Sequence, residues 1–122
     1  QYIFDNLETL NISVDGATRD TYETLRRGGS WTQIQHNLRF ISTRTKRYDV
    51  ALTMVVQKAN WREMTMMYKW SQHLGFNKMY YNMMQDWNTG AVIDTSFMKE
   101  GEYERSLQFL KEQKNVFFQG LF

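Results

Sequence analysis

A chain of 122 residues has room for one domain and one hydrophobic core. Its 42% hydrophobic and 16% aromatic content excludes a disordered chain, and 15 basic against 13 acidic residues, net +2, leaves no single-signed surface of the kind that binds nucleic acid. Cysteine is absent, so no disulfide or thiolate-held cluster can form on this chain alone.

No apolar run approaches the roughly 18 residues that span a bilayer, and Gln1-Tyr2-Ile3-Phe4-Asp5 lacks the basic start and apolar core of a signal peptide. The expectation is a soluble, cytoplasmic protein with no membrane partner. Gln1 to Leu7 reads as the tail of an element that starts further upstream, because Ile3 and Phe4 precede Asp5-Asn6 with no cap or helix ahead of them.

Leu10, Ile12 and Val14 alternate with Asn11, Ser13 and Asp15, which predicts a strand with one apolar and one polar face. Gly16 ends it, and Thr18 or Asp20 can cap a short helix to about Leu25. The break Arg26-Arg27-Gly28-Gly29 then leaves a guanidinium close to the strand's carboxyl end, where parallel α/β sheets bind ligands. Ser30 and Gln33 have the spacing of a capping box, and Trp31, Ile34, Leu38 and Ile41 recur on one face of a helix from about Trp31 to Arg44. His36 lies off that stripe as a surface residue. Arg44-Thr45-Lys46-Arg47 reads as a solvated helix end, where cations suit the helix dipole.

The run Val50 to Val56 is almost wholly apolar, as expected of a central parallel strand buried on both faces, and Gln57 stands at its end. Asn60 and Glu63 form a second capping pair before a helix from about Trp61 to Leu74, with Met64, Met67, Tyr68, Ser71 and Leu74 as its core stripe and Gly75 as its C′ residue. Met66 and Trp70 lie on another side, either against a neighbouring helix or as a contact surface. Lys78 to Met83 is a third strand, followed by the irregular stretch Met84 to Gly90. Ala91 to Lys99 has no clear pattern. Tyr103, Leu107 and Leu110 place a helix from Gly101 to about Glu112, and the tail Val116 to Phe122 either docks on the sheet or helices or continues into a further segment.

The order βαβαβα, with helix-length connections, demands right-handed crossovers between parallel strands, with Val50 to Val56 between the other two. On that layout Asn11, Ser13, Asp15, Thr53, Gln57 and one of Tyr80 or Asn82 face the interior. No Ser/His/Asp, Cys/His or paired-carboxylate arrangement is present.

Ile12-Ser13-Val14-Asp15-Gly16-Ala17, followed by Thr21-Tyr22-Glu23-Thr24-Leu25-Arg26-Arg27-Gly28-Gly29-Ser30-Trp31, resembles the fourth strand and following helices of the radical S-adenosylmethionine (SAM) enzymes, in particular the SPASM/twitch group of peptide-modifying and sulfatase-maturing proteins. Trp87 and Gly90 after the third strand extend the similarity more loosely, since Asn88 follows the tryptophan where relatives often have glycine. The resemblance implies the C-terminal half of a (β/α)6 partial TIM barrel. It implies that Ser13 hydrogen-bonds SAM and that Arg26 pairs with its carboxylate, with Asp15 as a neighbour of that site; Gln57 and Asn82, interior-facing on the same layout, are taken with them as cofactor-binding residues. The family's 4Fe-4S cluster sits on three cysteines of a CxxxCxxC loop that this chain lacks, so the parent enzyme would cleave SAM and modify a substrate, possibly a peptide, while this chain alone would be inactive. Its expected partner is the other half-barrel or a second copy meeting its open edges.

Two other readings stand beside this one: a self-associating, non-catalytic scaffold or binding module, and an unrelated small α/β nucleotide-binding domain. On either, Ser13 and Asp15 merely end a strand in a turn and Arg26 is a solvated cation.

Overall fold

The computed structural model describes residues 9–44, 49–84, 94–120 and 122. Strand β1 (Thr9–Ser13) leads to helices α1 (Arg19–Leu25) and α2 (Trp31–Ser42), then β2 (Asp49–Val56). A single 3-10 turn, Trp61–Glu63, opens helix α3 (Met64–His73), followed by β3 (Lys78–Met83). A second 3-10 turn, Ser96–Lys99, precedes α4 (Gly101–Lys111) and the last strand, β4 (Val116–Gln119).

The four strands form one sheet in the order β1-β2-β3-β4, every neighbouring pair parallel. β2 is central, as its apolar run requires, with Leu52 opposite Ile12 and Met79. The tail from Val116 is decided here: it docks as a fourth strand. Asn115, at φ 61, turns the chain into it, a conformation that asparagine tolerates better than most residues. The expected βαβαβα unit is therefore βαβαβαβ, and β3, expected at an edge, is internal. Its place is taken by β4.

Strand order without reversal, combined with right-handed crossovers, puts successive connecting helices on the same side of a sheet. One core results. Ile12, Leu52, Met54, Tyr81 and Phe118 from the strands pack with Leu38, Met64, Met67, Tyr103 and Leu110 from the helices. Tyr22, Trp31 and Trp70 continue it as a chain of tilted rings, with centroids 5.8 and 5.3 Å apart. Trp70 thus meets a neighbouring helix, whereas Met66 is 49% exposed.

Local signals explain most boundaries. Thr18 caps α1, its Oγ1 accepting from Thr21 N at 3.4 Å, and Ser30 Oγ accepts from Gln33 N at 3.2 Å to start α2. Gly75, at φ 80, terminates α3 in the left-handed conformation that a Cβ disfavours. Gly16 is required for a different reason: a Cβ there would stand 2.6 Å from the backbone nitrogen of Tyr22, so the chain leaving β1 could not press against α1. Asn60 and Glu63 do not form the expected capping pair, since neither helix start has a side-chain cap. Both turn instead toward the loop after β1.

Among the described residues no helix is long and apolar enough to cross a membrane.

Candidate functional site

The polar side chains of the strands converge on the sheet face opposite the core. Asn11, Ser13, Thr53, Tyr80, Asn82 and Gln119 line a depression of about 410 Å3, and among the described residues no helix residue contributes to its wall. Register explains the convergence: Ser13 lies beside Thr53, Thr53 beside Tyr80, Tyr80 beside Phe117, and Asn82 beside Gln119. Thr53 Oγ1 donates to Asn11 Oδ1 at 2.6 Å, which orients both groups. Asn82 Oδ1 is buried without a hydrogen-bond partner. A buried acceptor without a donor is uncommon and marks a place where a ligand or water completes the structure.

Arg26 stands at the carboxyl end of β1, where its Nη2 donates to the Ser13 carbonyl at 3.2 Å. Val14 N pairs inward with Thr53 O, so the alternation along β1 turns the Ser13 carbonyl to the sheet's outer edge. The guanidinium therefore satisfies an edge acceptor. It has five N–H donors, and the remaining ones can meet a ligand.

Asp15 lies beyond the end of β1, and its role differs from that of an interior-facing ligand group. Its Oδ1 accepts from Val55 N at 3.0 Å, closing the gap between the ends of β1 and β2 where regular pairing stops. Asn60, buried at 1% exposure, holds the same junction: its Nδ2 donates to Asp15 O at 3.0 Å and Val55 O at 2.8 Å, while its Oδ1 accepts from Gln57 N at 2.8 Å. Glu63 clasps the next residues, accepting from Ala17 N at 2.6 Å and from the hydroxyls of Thr18 and Thr21. These contacts set the path of the chain that leads from Ser13 to Arg26.

Gln57 is separated from the depression. It borders a smaller hollow of about 130 Å3 with Val56, Lys58, Met83, Met84, Asp94 and Phe97. There the Asp94 carboxyl is held below the usual range, first by the Ser96 N–H, then by the Ser96 hydroxyl and by Lys58 at 3.3 Å.

Of the residues singled out from sequence, the depression thus unites Ser13 and Asn82; Arg26 is not part of its lining and meets the Ser13 carbonyl on the outer edge of β1, Asp15 braces the ends of β1 and β2, and Gln57 lines a different hollow. Tyr80 and Asn82 both line the depression, rather than one of them, because residues two apart share a strand face. Gln119 went unnoticed, although it alternates with Phe118 in the same way as Asn82 with Tyr81. The bracing roles of Asn60 and Glu63 had no local signal. Trp87 and Gly90 lie outside the described residues.

Among the described residues no group of three or more His, Cys, Asp or Glu is placed to hold a metal ion. No protein-family model, curated protein or solved structure matches this chain.

Proposed function

We propose that this chain is the C-terminal half of a partial barrel of the radical SAM type and supplies part of the SAM site of a cluster-dependent parent enzyme. The observation that carries the reading is that Ser13 and Asn82 line one depression on an unreversed parallel sheet, with the Arg26 guanidinium on the Ser13 carbonyl at the edge of β1. Ligands bind beyond the carboxyl ends of strands in barrels and open α/β sheets, and a helical layer on one side of a parallel sheet is the arrangement of a barrel wall.

The residues fit SAM in part. Asn82 Oδ1 lacks a donor, and SAM carries hydroxyl and amine donors. Arg26 offers a planar fork suited to a carboxylate, and Ser13 offers a hydroxyl that donates or accepts. When bound, SAM would supply the radical chemistry by reductive cleavage at a cluster. The cluster does not fit this chain, which has no cysteine to hold it. What these residues do is bind and orient: Asp15 and Asn60 keep the ends of β1 and β2 together, Glu63 holds the loop that follows, and Arg26 is thereby set against the Ser13 carbonyl at the edge of β1.

The test is a SAM titration of isotope-labelled chain followed by NMR. A charge-assisted hydrogen bond contributes roughly 1.5 to 3 kcal/mol, so a site with only two or three such contacts binds at about millimolar strength. Shifts confined to Ser13, Arg26, Asn82 and their neighbours, weakened by Arg26→Ala, are expected. Shifts elsewhere, or none at concentrations on the order of 10 mM, would overturn the proposal.

A further inference from the structure

The residues that line the depression carry no charge; the nearest charges in register on the same face, Asp49 and Lys78, pair with each other at 4.0 Å toward the amino ends of their strands. Asn11, Ser13, Thr53, Tyr80, Asn82 and Gln119 are all neutral near pH 7. An ionic group placed among them would lose hydration without meeting a counter-charge, whereas a neutral polar group exchanges water for equivalent partners. Amides and hydroxyls both donate and accept, so this lining suits a ligand whose own groups do both at short spacing. Asn82 Oδ1 adds a specific demand for a donor.

An apolar surface stands beside these groups. Tyr80 and Phe117, neighbours on β3 and β4, stack with centroids 5.1 Å apart and planes at 26°, and Phe117 is 41% exposed. Ring surface flanked by neutral amides favours a ligand with one hydrophobic face and a rim of hydroxyls. The depression of about 410 Å3 is within the size of small-molecule sites.

We propose that this face binds an uncharged saccharide unit. A sugar hydroxyl donates to Asn82 Oδ1, neighbouring hydroxyls pair with the Gln119 amide and the Ser13 hydroxyl, and the C–H face of the sugar ring lies against the Tyr80–Phe117 pair. The proposal goes beyond the radical SAM reading and does not rest on it: Ser13 and Asn82, which that reading gives to SAM, hold the sugar here, so the two ligands would compete for this face.

Saturation-transfer NMR tests it with methyl α-glucoside, N-acetylglucosamine and maltose, using N-acetylalanine amide as an uncharged peptide mimic. Transfer to the ring protons of at least one sugar is expected, with binding reduced about tenfold or more in Asn82→Ala and in Tyr80→Ala, as the loss of one good contact implies. Asn82→Asp, which keeps an acceptor, should retain more binding than Asn82→Ala, and far-UV circular dichroism verifies that each variant is folded. Arg26→Ala should leave sugar binding unchanged while weakening SAM, so failure of the cofactor reading and failure of this one are distinguishable. Transfer to the peptide mimic alone, no transfer to any sugar, or sugar binding indifferent to Asn82 and Tyr80 would overturn the proposal.

Discussion

Replacing Asn60 by alanine removes three hydrogen bonds at once from a residue that is 1% exposed: the one accepted from Gln57 N and the two donated to Asp15 O and Val55 O. Each bond is worth about 1 kcal/mol net, and a buried backbone group left without a partner costs about 1 to 3 kcal/mol. Partial hydration of the three freed groups keeps the sum near ~3 to 4 kcal/mol, a large share of the ~5 to 15 kcal/mol that stabilises a domain. At about 2 cal/mol/K per residue of unfolding entropy, a chain of this length loses ~4 °C in Tm per kcal/mol, so the fall should be on the order of 12 to 16 °C. Urea unfolding followed by circular dichroism measures it, with an unchanged m value expected because the surface exposed on unfolding is the same. Asn60→Asp separates the donors from the acceptor. It keeps a partner for Gln57 N but aims an acceptor at two carbonyls, and should be at least as damaging. A loss below about 1 kcal/mol in Asn60→Ala, or a well tolerated Asn60→Asp, would refute the claim that this amide ties β1 to β2.

Burial, and secondarily nearby Tyr68, raises the pKa of Tyr81, whose hydroxyl donates to Met64 O at 2.6 Å, and burial pushes Tyr103 up to about 12. Because both folded values lie above the ordinary tyrosine value near 10, their contribution is complete below about pH 10 and lost as pH rises through them. Urea midpoints should therefore decline between about pH 10 and 12, and a flat profile there would count against the burial of these hydroxyls. Tyr103→Phe removes a buried hydroxyl that has no partner and should leave stability unchanged or raise it by about 1 kcal/mol; a clear loss would reveal an unseen acceptor. The outer edge of β4 should drive self-association: Asn115 turns its carbonyl to β3, where it accepts from Met79 N, so Val116 and Phe118 direct their N–H and C=O groups away from the sheet. Light scattering at high concentration should give a dimer or larger species, and a compact monomer would contradict this.

What could be read from the sequence was what local physics controls. The alternation of Leu10, Ile12 and Val14, the apolar run from Val50 to Val56 and the stripes through Leu38, Met67 and Leu110 follow from the need to bury apolar surface, and they set β1, β2 and helices α2, α3 and α4. Ser30 and Gly75 marked helix ends because capping needs only neighbours in sequence. The face on which Ser13, Thr53, Tyr80 and Asn82 meet was foreseeable from strand periodicity once the strands were taken as parallel. Only the tertiary structure decided the rest. Val116 to Gln119 is too short for its pattern to choose between strand and tail, and the choice falls to β3, which supplies the ladder partner. Asn60 and Glu63 have the spacing of a capping pair, but Asp15, Ala17 and Thr18, more than 40 positions away, present donors and acceptors in a partly buried junction that binds them instead. Asp15 passed from expected ligand to brace for the same reason: a backbone N–H of β2 stood within reach, and a partly buried polar group takes the partner that the folded chain places beside it.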